Sequence, residues 1–341
     1  MLSGTGRRTG VVALVLVCAA LLSLVLALSI GPTTIPVSSF LPSDVFGAVS
    51  ALLSGGDAAP FFPDETAGLI VYSVRLPRVL AAFLVGAGLA AAGTAMQGLF
   101  RNSMADPYII GTSSGAALGA AVAIVFLGGL FLPVFAFVGA TAATFLVYAL
   151  ATRNGRAPVE TLLLTGVALS MFFSAILSFL MYSAGKSLHQ IIYWMMGGFW
   201  TVGWGDISLA VVIVAGGIIL IAYAKDLNIL SLGEEDAVHL GVNVESFKRI
   251  LLFVSSFITG IAVAIAGSIG FIGLITPHVM RLIVGPDHRI LFPTAMVAGG
   301  IFLLWADTVT RTFMGDMPVG VITAFVGAPF FIFLLRGRSR V

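Results

Sequence analysis

The sequence predicts an all-α integral membrane protein of about ten transmembrane helices, with both ends on the cytoplasmic side. Of its 341 residues, 59% are apolar and 9% charged, where an ordinary soluble chain carries about 25% charge. Mean hydropathy is +1.11. Charge-free runs recur along the whole length, and a helix rising ~1.5 Å per residue needs only about 20 such residues to cross a ~30 Å hydrocarbon core. Soluble enzymes, nucleic-acid binders and disordered chains are excluded. The lipid bilayer is the first partner, and nucleic acid is none.

The elements follow in order. Charge-free runs occupy residues 9–43, 79–100, 107–152, 161–185, 207–224, 250–280, 290–306 and 317–335, because a charge at a span's centre costs ~2.5–3.5 kcal/mol on insertion scales. The first is about twice the length of a signal-peptide core and is read as retained. The run 107–152 divides into two spans at Gly128, Gly129 and Pro133. The run 250–280 gives one span, then a turn at Gly270, Gly273 and Pro277, then a shorter helix to about Gly285. Spans are thus expected to start near residues 11, 76, 109, 131, 160, 207, 249, 277, 290 and 318. An external loop spans 31–74. The segment 186–205, rich in Gly, Trp and Met, is expected as a short helix lying on the outer surface.

Charge bias sets the orientation. With an even number of spans and basic termini inside, Arg7, Arg8, Arg101, Arg153, Arg156, Lys225, Lys248, Arg249, Arg281, Arg289, Arg336, Arg338 and Arg340 are cytoplasmic. Only Arg75, Arg78, Lys186 and Arg311 fall outside. That asymmetry obeys the positive-inside rule.

Chemistry-bearing constellations are missing. One cysteine, Cys18, rules out a disulfide framework or thiolate cluster. His189, His239, His278 and His288 lack zinc-site spacing. Gly185-Lys186-Ser187 matches only the tail of a P-loop, since the first glycine's place is Leu180. Few ionisable groups reach the midplane, which weakens a proton-coupled carrier but leaves a sodium-coupled one open. Asp307 and Arg311, four apart on one helix face, read as a structural ion pair. No metal site is expected, and energy for uphill transport would come from another subunit.

The cytoplasmic segment 226–249 is the most polar stretch between two spans. Ser231 and Glu234 form an S-x-x-E capping box, so a short helix is expected from Leu232 to about Leu240, with Glu234, Glu235 and Asp236 in its first turn and Gly241 as its stop. A second short helix would start near Asn243 and lead into the next span. Such a capped pair suits a groove on a partner; composition alone leaves a solvated loop equally open.

These residues resemble a known family: the FecCD-type permeases of ABC importers for iron–siderophore complexes, haem and cobalamin (type II importers). The segment Leu232-Gly233-Glu234-Glu235-x-Ala237-x-x-Leu240-Gly241-Val242 is similar to the family's coupling helix. Arg75-Leu76-Pro77-Arg78 is followed by Gly86, Gly88, Gly93 and Gln97, then Arg101-Asn102, Pro107, Gly111 and Gly115. Further blocks are Tyr193-Trp194-Met195-Met196-Gly197-Gly198, Gly270-Phe271-Ile272-Gly273 with Pro277-His278, Asp287-His288-Arg289, Ala306-Asp307, Pro318-Val319-Gly320 and Gly327-Ala328-Pro329. So many blocks in one order make the resemblance specific over nearly the whole chain. Asn102-Ser103-Met104-Ala105 lacks the family's proline, and Asp316 stands where glutamate is usual.

The resemblance implies a single permease domain over 1–341, paired with a second permease copy in a homodimer or with a close paralogue. Two cytoplasmic ABC ATPase subunits would dock on Leu232, Gly233, Glu234, Glu235, Ala237, Leu240 and Gly241. An extracytoplasmic solute-binding protein would dock on Arg75, Arg78 and Arg311. The path would lie at the dimer axis, lined by Ser170, Ser174, Ser178, Thr323 and Phe330. Its cytoplasmic gate would be the turn Val159-Glu160-Thr161, whose valine and glutamate replace the small hydroxyls of the cobalamin member. Gly111, Gly115 and Gly119, at intervals of four, read as a face for tight helix packing. The chain itself would bind no cofactor and catalyse no covalent chemistry, ATP-Mg belonging to the partner ATPase. The expected place is the cytoplasmic (inner) membrane of a prokaryote, multi-pass. Iron–siderophore import is the first expectation, with cobalamin or haem as alternatives on the same machinery. An ion-coupled secondary transporter is the reading from another class.

Overall fold

The computed structural model describes residues 2–40 and 64–338. Most of the expected external loop, residues 41–63, lies outside the described residues, as does Arg340. Thirteen helices carry the argument. They are α1 (Leu2–Ser29), α2 (Glu65–Leu99), α3 (Thr112–Leu127), α4 (Leu132–Ala151), α5 (Val159–Ser183), α6 (Leu188–Met195), α7 (Trp204–Ala222), α8 (Ala224–Leu230), α9 (Glu234–His239), α10 (Val244–Ala266), α11 (Ile272–Val284), α12 (His288–Phe313) and α13 (Val319–Arg338). Among the described residues seven of these are long and apolar enough to cross a membrane, and α3, α11 and α13 are shorter apolar helices. Helices dominate because a lipid core offers no water to the peptide groups, and a helix satisfies them within itself.

The second span begins at Glu65, eleven residues before its expected start. Asp64 caps it, its carboxylate accepting from the N–H groups of Thr66 at 2.9 Å and Ala67 at 3.1 Å. Pro77 therefore lies inside a long helix, where its missing N–H and its ring are ordinarily disruptive. A π-turn over Val71–Arg75, in which the Leu76 N–H reaches the Val71 carbonyl, widens the helix immediately before the proline. Acidic and proline-rich composition around residue 64 hid this turn from a charge-free scan.

Helix α2 is the centre of the bundle. Its residues from Pro77 to Leu99 are almost all buried, and nearly half are Ala or Gly. Small side chains let other backbones come to contact distance. A Cβ at Gly86 would collide with the Gly299 carbonyl of α12, and one at Gly93 with Gly273 of α11. The hairpin of α3 and α4 closes in the same way, Gly115 against Gly139 and Gly119 against the Phe135 carbonyl. Gly111 serves differently: at φ 84° it caps α3 from outside the helix. Another difference concerns Pro277, expected in a turn but placed inside α11. The turn before it is made by Gly267 (φ 67°) and Phe271 (φ 71°) instead.

Helix α1 is mostly uncovered by the rest of the chain and is tied down at its C-terminus. The last carbonyls of a helix lack partners within it and form the negative end of its dipole. Here they are taken by two arginines distant in sequence. Arg75 donates to the carbonyls of Leu28 (2.7 Å) and Ser29 (3.1 Å) and to Thr33, while Arg311 donates to those of Ala27 and Ile30. Trp305 adds a bond from its indole N–H to Ser23 Oγ at 3.0 Å.

Two outcomes follow. Gly93→Leu places a side chain where α11's backbone passes, and should destabilise the folded protein in detergent by about 3 kcal/mol or more, read as a lowered melting temperature. Arg311→Met leaves buried carbonyls unpaired at the end of α1, and should cost about 1–3 kcal/mol in the same assay.

Candidate functional site

The segment after α7 is a compact clasp. Helix α8 ends at Leu230, and Gly233, at φ 146°, makes the sharp entry into α9. Ser231 does not form the expected capping box, because its hydroxyl donates to the Asn228 carbonyl at 2.6 Å. The helix therefore runs over Glu234–His239, shorter than expected. Its exit follows the expected stop: at Gly241 (φ 87°) the Val242 N–H returns to the Ala237 carbonyl at 2.9 Å and the Gly241 N–H to Val238 at 3.0 Å. The second helix of the pair lies upstream, as α8. Asn243 instead caps α10 directly, accepting from the Ser246 N–H at 3.2 Å.

This clasp has a fixed base and an open face. Ala237 is fully buried. Asn228 on α8 bonds Asp287 at 2.7 Å and the His288 N–H at 2.9 Å, pinning α8 to the start of α12. Partial burial works to raise the Asp287 carboxyl, but the Arg289 N–H and the Asn228 amide outweigh it and hold the group below its ordinary value. Outward, Leu232, Val238 and Leu240 are exposed. A groove of about 800 Å³ beside them is lined by Arg156, Glu234, Glu235, Val238, His239 and Glu245, among others. Apolar knobs beside a charged groove, on helices held from behind, form a surface suited to protein docking.

A second concavity lies along α5. Tyr108, Ile109, Val167, Ser170, Met171, Ser174, Ala175 and Ser178 line an open hollow of about 610 Å³. The spacing of four brings the three expected serines onto one face. Ser178 spends its proton on the Ser174 carbonyl at 2.8 Å, leaving its oxygen as an acceptor. At the foot of α5, Glu160 is exposed while Val159 and Thr161 are half-buried. Thr323 does not join this wall. It is fully buried, donating to the Gly320 carbonyl at 3.1 Å, and Phe330 is half-buried further along α13. The exposed face of α13 carries Val321, Phe325 and Val326 instead.

The three arginines expected to meet a binding protein are turned inward. Arg75, Arg78 and Arg311 are 4%, 8% and 6% exposed. Arg78 grips Asp307 on α12 at 2.8 Å and Asp316 at 2.6 Å. Arg311 does not pair with Asp307 as expected, but caps α1. A cation near a span end that can reach a carboxylate or a row of free carbonyls gains more there than beside water. Nothing local in the sequence shows partners that lie, for Arg78 and Asp307, 229 residues apart. Among the described residues no group of three or more His, Cys, Asp or Glu could hold a metal ion.

Comparison with known proteins agrees with this architecture. The model of the FecCD transport family matches residues 17–337. The cobalamin import system permease protein BtuC of Halobacterium salinarum is 50% identical over 287 residues, covering 83% of this chain and 78% of its own. The vitamin B12 import system permease protein BtuC of Salmonella paratyphi A is 40% identical over 279 residues, 80% and 85% of the two chains. A solved ABC transporter of the metal-chelate type, in an inward-facing conformation, superposes with a TM-score of 0.83 at 32% identity, covering 95% of this chain and 98% of that one. With a bundle of apolar helices, a family match over residues 17–337 and relatives of 40–50% identity, this chain belongs to the FecCD family of ABC importer permeases, multi-pass membrane proteins that transport rather than catalyse.

Proposed function

We propose that this chain forms, with a second copy of itself, the membrane channel of an ATP-driven importer of metal chelates. The observation that carries the reading is the clasp of α8 and α9, pinned to α12 and presenting exposed apolar side chains where the family's coupling helix falls. Two cytoplasmic ATPases would seat on that surface, on Leu232, Gly233, Glu234, Glu235, Leu240 and Gly241, while Ala237, buried beneath them, would hold the helix in place rather than touch the partner. The cargo would pass between the two copies along α5, past Ser170, Ser174 and Ser178, to a gate at Val159, Glu160 and Thr161. Both termini would be cytoplasmic, in the inner membrane of a prokaryote.

The arginines take a different part. Arg75, Arg78 and Arg311 would act on an external binding protein by holding the outer ends of α1, α2 and α12 in place, with the docking contacts made by neighbouring exposed groups. For the cargo, identities of 50% and 40% to permeases named for cobalamin support a corrinoid at least as strongly as a ferric siderophore. Both are bulky chelates that a wide, weakly polar path would admit, with selection made by the binding protein.

Proteoliposomes holding this chain with its ATPase and binding protein, offered labelled cobalamin, ferric siderophore and haem in parallel, test the reading. ATP-dependent accumulation of one chelate is expected; uptake that ignores ATP and follows an imposed ion gradient would overturn it. Replacing Glu234, Glu235 and Leu240 together should leave the permease folded while lowering ATPase co-purification and uptake about 10-fold or more, as loss of a docking hot spot does. Undiminished assembly and uptake would remove the coupling role from α9.

A further inference from the structure

The foot of α5 is joined to α9 by one buried cation. Lys248, on the first turns of α10, is 1% exposed. Its Nζ lies 2.7 Å from Glu234 Oε2 on α9, 3.2 Å from Glu245 Oε1 on its own helix, and 3.3 Å from the Ala157 carbonyl. Glu245 completes the ring, its Oε2 accepting the Ala157 N–H at 3.1 Å. Both peptide groups of Ala157 that can bond are thus held by one lysine–glutamate pair. An ammonium has three protons, and here three acceptors on three elements surround it.

Ala157 is fully buried and has little slack on either side. Upstream, Arg153 and Arg156 exchange backbone bonds of 2.9 and 3.0 Å around Asn154 (φ 52°) and Gly155 (φ 75°), the geometry of a tight two-residue turn. Downstream, a single residue intervenes before α5. It is Pro158, whose ring fixes its φ and whose carbonyl accepts the first helical bond, from Leu162 at 3.0 Å. A shift of Glu234 therefore reaches the base of α5 through one side chain and one stiff residue.

We propose that Lys248 is the transmission residue of this permease, delivering movement of α9 to the helix that walls the path. The proposal rests on the reading of α9 as the ATPase-docking element. It assigns to the Lys248 ammonium a role that packing alone does not require. Glu234 and Glu245 keep part of their side chains exposed, at 37% and 28%, so an apolar residue at 248 leaves both carboxylates within reach of water. The fold should survive that change while the tie is lost, unlike the removal of one partner from a fully buried pair.

The test is Lys248→Met in the complete transporter, with its ATPase and binding protein, in nanodiscs for hydrolysis and in liposomes for uptake. ATPase co-purification and basal hydrolysis should stay within about 2-fold of the parent, while chelate imported per ATP hydrolysed falls about 10-fold, within the usual span of coupling between sites. Lys248→Arg, which keeps the charge and the donors, should recover most of that ratio. Import per ATP at the parental ratio in Lys248→Met would overturn the proposal, as would an equal loss of hydrolysis and import. Should Lys248→Met fail to assemble, Glu245→Gln decides by the same ratio: a fall supports transmission and no change refutes it. A parent transporter that shows no ATP-dependent uptake would instead defeat the functional reading beneath it.

Discussion

A helix rich in alanine and glycine stands at the centre of this molecule, and the other helices are arranged by what its surface permits. Because α2 is largely Ala and Gly from Ala81 to Gly98, the backbones of α11 and α12 approach it directly, through Gly273 and Gly299. In lipid no water gains from the burial of apolar surface, so close packing is what holds helices together. Contacts between backbones leave little room for sliding. The bundle around α2 is a stiff frame, and the parts that a transporter must move are hung on its outside: α5 with its serine face, and α9 on the opposite side of the Lys248 junction.

Polar groups in this frame are spent where helices end. Arg75 and Arg311 satisfy the last carbonyls of α1, Arg78 bridges α2 to Asp307 and Asp316, and Asn228 and Asp287 lock α8 to α12. Each bond joins elements remote in sequence, and each answers a cost that would otherwise be paid by an unpaired group in a poor solvent. Lys248 follows the same rule on the face that carries the clasp. Its difference is that one of its acceptors sits on α9, the part a partner would push.

Much of this was legible beforehand. Charge-free runs located the apolar helices to within a few residues in most cases, because the penalty for a buried charge is large and local. Gly241 ended α9 where its freedom at positive φ was expected to. The sequence reading failed where the deciding partner was distant. The Ser231 cap failed for a local reason instead, its hydroxyl closing back onto the Asn228 carbonyl three residues earlier at the end of α8. Arg75, Arg78 and Arg311 were assigned to a binding protein by their external placement and their match to the family's positions; that the carbonyls of α1 take two of them, and that Asp307 pairs with Arg78 rather than Arg311, is invisible to a local scan. Lys248 was counted only as one of many inside charges. A lysine three residues after a glutamate, at the start of a span, was the signal available for it.

The central claim is mechanical: motion of α9 becomes motion of α5. Spin labels report it most directly, with Cys18 replaced by alanine and a single cysteine at Val238 or at Ser178, so that each label pair spans the two copies of the assembled transporter. Pulsed electron-paramagnetic-resonance distances should shift at both positions in the same nucleotide-dependent step. A shift at Val238 on adding ATP, with the Ser178 distance unchanged, would contradict the account.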